Sequence, residues 1–145
     1  MAAICKFHEN VKLWIALREV RSEEPQDYAS LITVTLRGQG EVVVVAGTVY
    51  GKRDARIVRI GDFRVEGVPE GAAILCENED RPGVVGNLGS ALGGEGINIA
   101  RISLSRMDDR GSAFSFINVD HAASPALLDR IRKLPHVRWL KAVTL

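Results

Sequence analysis

Cysteine is almost absent from this sequence. Cys5 and Cys76 are the only two, too few for a disulfide framework and without the spacing of a structural zinc site. Histidine is nearly as scarce. His8, His121 and His136 stand apart from one another, and none lies four residues from a second ligand-type side chain, so no metal centre is expected. An excess of charge of either sign is missing too. Nineteen Lys and Arg balance eighteen Asp and Glu, a formal net charge of +1, which gives no electrostatic case for a nucleic-acid partner. No apolar run approaches the ~18–20 residues that span a bilayer. The opening segment MAAICKFHENVKLWIALREV mixes Lys, His, Glu and Asn among its apolar residues. It lacks the apolar core and small-residue cleavage site of a secretory signal. A cytoplasmic protein with reduced thiols is expected.

Catalytic signatures are missing as well. Gly83, Gly86 and Gly89 do not make G-x-G-x-x-G and fall within or beside a helical pattern, so no dinucleotide site is supported. Gly47 to Lys52 has the wrong glycine spacing for a P-loop, and no Ser or Thr follows the lysine. There is no nucleophile elbow. The paired acids Glu23-Glu24 and Asp108-Asp109 sit in polar stretches with nothing to tune a general acid. Cys5 has no neighbouring activating His, Cys76 reads as a small buried hydrophobe in a strand, and Trp14 and Trp139 read as core or interface anchors. Neither catalysis nor a cofactor is expected of these residues.

What is present is a globular composition, 46% hydrophobic and 26% charged over 145 residues, enough for one ordinary domain or two small ones. The joint Val68-Pro69-Glu70-Gly71 separates two patterns and divides the chain into residues 1–69 and 70–145. The first part is β-rich. Residues 31–36 (LITVTL), 41–49 (EVVVVAGTV), 56–60 (RIVRI) and 63–66 (FRVE) carry the β-branched composition of strands. Arg37-Gly38-Gln39-Gly40 and Gly61-Asp62 read as hairpin turns, and residues 22–28 as a surface loop. The second part alternates. Residues 72–77 read as a strand. Val84, Val85, Leu88, Ala91 and Leu92 line one face of a helix over 83–92. Residues 97–106 and 112–120 read as strands around a turn at 107–111. Ser124-Pro125 opens a second helix with Ser at the cap and Pro at its first position, and residues 137–145 close as a strand. The order is βαββαβ, a ferredoxin-like split arrangement with two helices on one face of a four-stranded antiparallel sheet. The fold class is therefore α+β.

The first strand-to-helix turn of the second part carries the most chemistry. Gly83 admits close approach to the backbone. The N–H groups of Gly83 and Val84, at the helix start, suit a carboxylate, and Asp80 suits an ammonium. Asn78 and Asn98 can each donate and accept. Together they could grip a small zwitterion. The same residues are also accounted for if Asp80 simply caps the helix and Asn98 supports the turn after Gly96. A second candidate is the basic stretch Lys52, Arg53, Arg56, Arg59 and Arg64, of which Lys52, Arg53 and Arg56 would hold a phosphate or carboxylate. A solvated hairpin face explains it equally.

The strings DYASLITVTL, VAGTVYGK, RIVRIGDFRVE, VPEGAAILCENEDRPGVVG, LGGEGINIA, FINVD and IRKLP run in order through most of the chain from about residue 20. Together they resemble the C-terminal regulatory region of the D-3-phosphoglycerate dehydrogenase family. The resemblance implies a β-rich intervening (allosteric substrate-binding) domain over residues 1–69, of which 1–19 are atypical, and an ACT domain over 70–145. It implies L-serine as effector at an interface between two ACT domains. Asn78, Asp80, Gly83 and Val84 would come from one copy and Asn98 from the other. It further implies a homodimer or higher homo-oligomer, a regulatory role in serine biosynthesis, and a catalytic dehydrogenase chain as partner. The dehydrogenase's nucleotide-binding and catalytic domains have no counterpart among these residues. The alternatives are a dimerisation or docking module with an empty site, and a regulatory piece of an L-serine dehydratase, whose cluster cysteines are not evident here.

Overall fold

The computed structural model of the chain describes residues 3–4, 14–15, 28, 30–37, 42–107 and 111–145. Residues 38–40 of the expected loop at 37–40, most of the turn at 107–111 and nearly all of 1–28 lie outside the described residues, while Arg37 ends a strand. A short antiparallel pair joins β1 (Ala3–Ile4) to β2 (Trp14–Ile15). The first four-stranded sheet is an antiparallel meander of β3 (Ile32–Arg37), β4 (Val42–Tyr50), β5 (Asp54–Ile60) and β6 (Phe63–Gly67) in that spatial order. Then follow β7 (Ala72–Glu79), α1 (Val84–Gly93), β8 (Ile99–Met107), β9 (Ser112–Val119), α2 (Pro125–Arg132) and β10 (Val137–Thr144). Their strands form a second antiparallel sheet in the order β10-β7-β9-β8. The βαββαβ order is thus realised, with β8 and β10 as the edge strands among the described residues.

The two central strands of the second sheet, β7 and β9, are covered on both faces. On the helix side Ile74, Cys76, Ile117, Val119 and Leu140 pack against Val84, Leu88 and Leu92 of α1 and Leu127 and Ile131 of α2. Each large side chain there contributes about 1.5–3 kcal/mol by leaving water. Ser124 caps α2 as expected, its hydroxyl accepting from the Leu127 N–H at 3.2 Å. Arg130 joins the two helices by pairing with Glu95 at 2.9 Å.

On the opposite face Ala73, Phe114 and Phe116 meet Val65, with Ile57, Ile60 and Phe63 of the β5–β6 hairpin packed around them. Phe114 stacks between Phe63 (5.0 Å) and Trp139 (6.5 Å). Every residue of β9 is consequently buried, which is why SAFSFINV alternates aromatic with aliphatic or small residues instead of apolar with polar. Gly67 lies directly on the Phe116 ring, where a Cβ would fall 2.5 Å from the Cε2 atom. Asn118 ties down the joint. Its Oδ1 accepts from the Val68 N–H (3.3 Å), and its Nδ2 donates to the Val68 carbonyl (2.9 Å) and to that of Glu70 (3.4 Å). Ser103 Oγ accepts from the Glu66 N–H at 3.0 Å. The first sheet is therefore fixed to the second by packing and by hydrogen bonds to β8 and β9.

Candidate functional site

The turn after β7 is anchored on both sides. The Glu79 N–H donates to the His136 carbonyl and the Asp80 N–H to the Gly111 carbonyl, each at 2.9 Å. Asn78 lies inside β7, between Val137 of β10 and Ala113 of β9, and is 2% exposed. Its Nδ2 donates to the Glu79 carbonyl at 2.6 Å, while its Oδ1 is buried without a partner. A buried acceptor left unpaired costs about 1–3 kcal/mol.

The capping alternative for Asp80 is not what is found. The N-cap of α1 is Gly83, at φ 88°, a left-handed conformation that glycine adopts without strain. No side chain caps the helix there, so its first turn keeps the partial positive charge of uncapped N–H groups. Asp80 is instead held by Arg106, whose Nε and Nη2 both reach Oδ2, at 2.7 and 2.6 Å. Val84 buries its side chain in the core and can offer a ligand only its N–H.

Asn98 is elsewhere. It precedes β8, where its N–H donates to Asp120 Oδ1 and its carbonyl accepts from the Asp120 N–H, both at 3.2 Å. Register places Ile99 opposite Val119 and Arg106 opposite Ala113, which in turn faces Asn78. Within one chain, Asn98 and Asp80 are therefore separated by nearly the length of β8, roughly 25 Å at the usual rise per residue. The structure groups Asn78, Asp80, Gly83 and Val84 and leaves Asn98 at the far end of an edge strand. Along that edge Ile102 and Leu104 are 40% and 46% exposed.

Sequence reasoning missed the charged surroundings of Asp80. A cavity of about 420 Å³ is lined by Glu79, Asp80, Arg81, Gly111 and Arg138. Glu79 is its hub. His136 Nδ1 lies 3.0 Å from one carboxylate oxygen, and Arg138 and Arg81 approach at 3.8 and 3.9 Å. The hydrogen bond from His136 holds the Glu79 carboxyl below the usual carboxylate range, with both arginines adding to the effect. Arg138 also donates to Ser112 Oγ at 2.6 Å. His136 sits at φ 69°, an uncommon conformation for a residue with a Cβ, and is kept there by this bond and by its carbonyl contact with Glu79. Arg106 is 26 residues from Asp80. Only the strand register brings the two together, and that register follows from the βαββαβ order.

None of the basic candidates lines the cavity beside Glu79 and Asp80. Lys52 and Arg53 are exposed in the β4–β5 turn. Arg56 turns onto Asp54 and the Ala55 carbonyl, and Arg59 donates to the Gly61 carbonyl at 2.7 Å. Arg56 thus already has a carboxylate partner of its own. Cys76 is buried, and burial pushes its thiol up to about 11, the opposite of an activated nucleophile. Among the described residues no three His, Cys, Asp or Glu side chains converge as a metal site, and no helix is long and apolar enough to cross a membrane.

Comparison with known proteins adds the following. Residues 72–136 match the family model of the ACT domain. The chain is 33% identical over 126 residues to the D-3-phosphoglycerate dehydrogenase of Archaeoglobus fulgidus, a match covering 86% of this chain and 24% of that protein. It is 24% identical over 124 residues to the enzyme of the same name from Methanocaldococcus jannaschii, covering 86% and 24%. To that of Bacillus subtilis it is 26% identical over 131 residues, covering 90% and 25%. The chain therefore spans about a quarter of the length of these relatives.

Proposed function

Residues 72–136 are an ACT domain, and from that premise we propose that the chain is a regulatory module that senses a small amino acid, L-serine first, in a crevice shared by two copies. In this reading it corresponds to the regulatory part of D-3-phosphoglycerate dehydrogenase and acts in the cytoplasm with a catalytic dehydrogenase chain. It carries no hydride transfer of its own, so an assay with NAD and 3-phosphoglycerate on this chain alone is expected to stay at background.

The observation that carries the proposal is the separation of Asn98 from Asp80 along an edge strand. A second copy laid antiparallel on the outer edge of β8, about a twofold axis near Ser103, continues the sheet and keeps all helices on one side. Strand alternation then sets Ile102 of one copy opposite Leu104 of the other, on the same face. The two exposed apolar side chains cover each other. The same rotation carries Asn98 of one copy to the Arg106 end of the other, next to Asp80. The effector's ammonium pairs with Asp80, its carboxylate takes the uncapped N–H groups at the start of α1, and Asn98 of the second copy closes the crevice. The unpaired Asn78 Oδ1 is a further acceptor at its floor. A ligand bound to both copies favours the arrangement in which both contact it, by no more than its differential affinity for that arrangement.

Isothermal titration of the chain with L-serine and glycine tests the reading. Saturable heat with L-serine is expected. Asp80→Asn and Asn98→Ala should each lower affinity about ten- to a hundredfold, the range for one hydrogen bond to a charged group. The exposed Ile102 and Leu104 on the edge strand also favour a second reading, a module that dimerises or docks without any effector. That reading predicts no heat, no thermal shift at millimolar serine, and unchanged assembly in both variants.

A further inference from the structure

Asp80 is not an open anion. Both Nε and Nη2 of Arg106 reach its Oδ2, so an incoming ammonium meets a carboxylate that already has a cation. The Arg106 side chain is 62% exposed and that of Asp80 is half-buried at 26%, and a pair open to water on one side is weak and exchangeable. Arg106 lies next to the end of the edge strand β8 and reaches over β9 from the side on which a second copy would sit. Resting on the effector reading above, we infer that Arg106 is the specificity-determining residue of this crevice: it neutralises Asp80 when the crevice is empty and takes the ligand's carboxylate when it is filled.

The argument is one of charge balance. Asp80 and Arg106 together are neutral, and so is an α-amino acid. When the zwitterion inserts, its ammonium takes Asp80 and its carboxylate lies between the guanidinium and the N–H groups at the start of α1, and the net charge of the crevice is unchanged. A primary amine without a carboxylate can take Asp80 only by displacing the guanidinium, and it adds a positive charge to the crevice with no anion to offset it. A carboxylate without an amine leaves Asp80 competing with it for Arg106. The helix N–H groups cannot make this distinction alone, because they accept any small anion. The planar fork of arginine also suits a carboxylate better than an ammonium point charge does.

The test is isothermal titration of the full chain with L-serine and with 2-aminoethanol, which is serine without its carboxylate, on the wild type, Arg106→Gln and Arg106→Lys. The wild type should prefer serine by at least about tenfold. Arg106→Gln should lose about ten- to a hundredfold on serine while holding or gaining affinity for 2-aminoethanol, so that the ratio approaches unity. Arg106→Lys should fall between. A merely structural role would weaken both ligands alike and leave the ratio where it was. An unchanged ratio in Arg106→Gln, with serine still bound by the wild type, overturns the inference and leaves the effector reading standing. Failure of the wild type to bind serine at all overturns both.

Discussion

Gly67→Ala probes how the two sheets are joined. Gly67 ends β6 where the hairpin crosses the fully buried ring of Phe116, itself 1% exposed. An added Cβ would stand 2.5, 2.6 and 2.7 Å from three atoms of that ring. Carbon atoms settle at about 3.5–4.0 Å, so the ring or the hairpin must retreat by about 1 Å. Phe116 cannot turn away freely, because Val65, Ala73 and Phe114 surround it. Gly67 does not have a positive φ, so the backbone tolerates alanine and the cost is steric. Overpacking of this kind costs about 1–3 kcal/mol. Lowered entropy of the unfolded chain returns about 0.4–1 kcal/mol. The net destabilisation is about 1–2 kcal/mol, which lowers Tm by about 3–8 °C for a chain of this size. Thermal and urea unfolding followed by circular dichroism measure it. The Phe116→Leu background supplies the control, since a smaller side chain leaves room for the methyl and should remove much of the cost of Gly67→Ala. An unchanged midpoint, or an equal loss in both backgrounds, would refute the close approach of β6 to β9.

Two further predictions concern titration and reactivity. The Glu79 carboxyl is held below its ordinary value chiefly by its hydrogen bond from His136. Its contribution is therefore complete above the unfolded pKa of about 4.3 and is lost as pH falls through the lower folded value. Urea midpoints between about pH 6 and pH 3 should drop less steeply for Glu79→Gln than for the wild type; superimposable acid limbs would contradict the His136 contact. The Cys76 thiol, buried and raised to about 11, should resist iodoacetamide in the native protein near pH 8 and react in concentrated urea. Modification of the Cys76 peptide at the same rate in both conditions would contradict its burial.

Much of the fold was legible in the sequence because its periodicities are strong. The β-branched runs at 31–36 and 41–49, the helical stripe from Val84 to Leu92 and the Ser124-Pro125 helix start each fall within about two residues of the observed elements, the ordinary scatter of element ends. Gly83 departs from the reading. It was placed inside the first helix, but its left-handed φ makes it the residue before it. The covering of the second sheet's other face was not legible. Packing of one hairpin on another sheet leaves no local period, although the unbroken burial of β9 has its trace in the alternation of Phe114 and Phe116 with Ser115 and Ile117. The polar side chains around the turn could be named from their types alone, but their partners could not. The contacts of Arg106 with Asp80 and of His136 with Glu79 span 26 and 57 residues and exist only once register aligns three strands.

The sharing of one crevice by two copies is tested most directly by mixing two variants that are each expected to bind poorly. In a twofold dimer every crevice draws Asp80 from one copy and Asn98 from the other. Asp80→Asn and Asn98→Ala homodimers should therefore bind L-serine weakly, while a heterodimer of the two holds one crivice damaged twice and one intact. After unfolding and refolding an equimolar mixture, titration calorimetry should recover about a quarter of the wild-type sites at wild-type affinity. Recovery of no sites from the mixture, or full affinity in the Asn98→Ala protein alone, would contradict a crevice built from two chains.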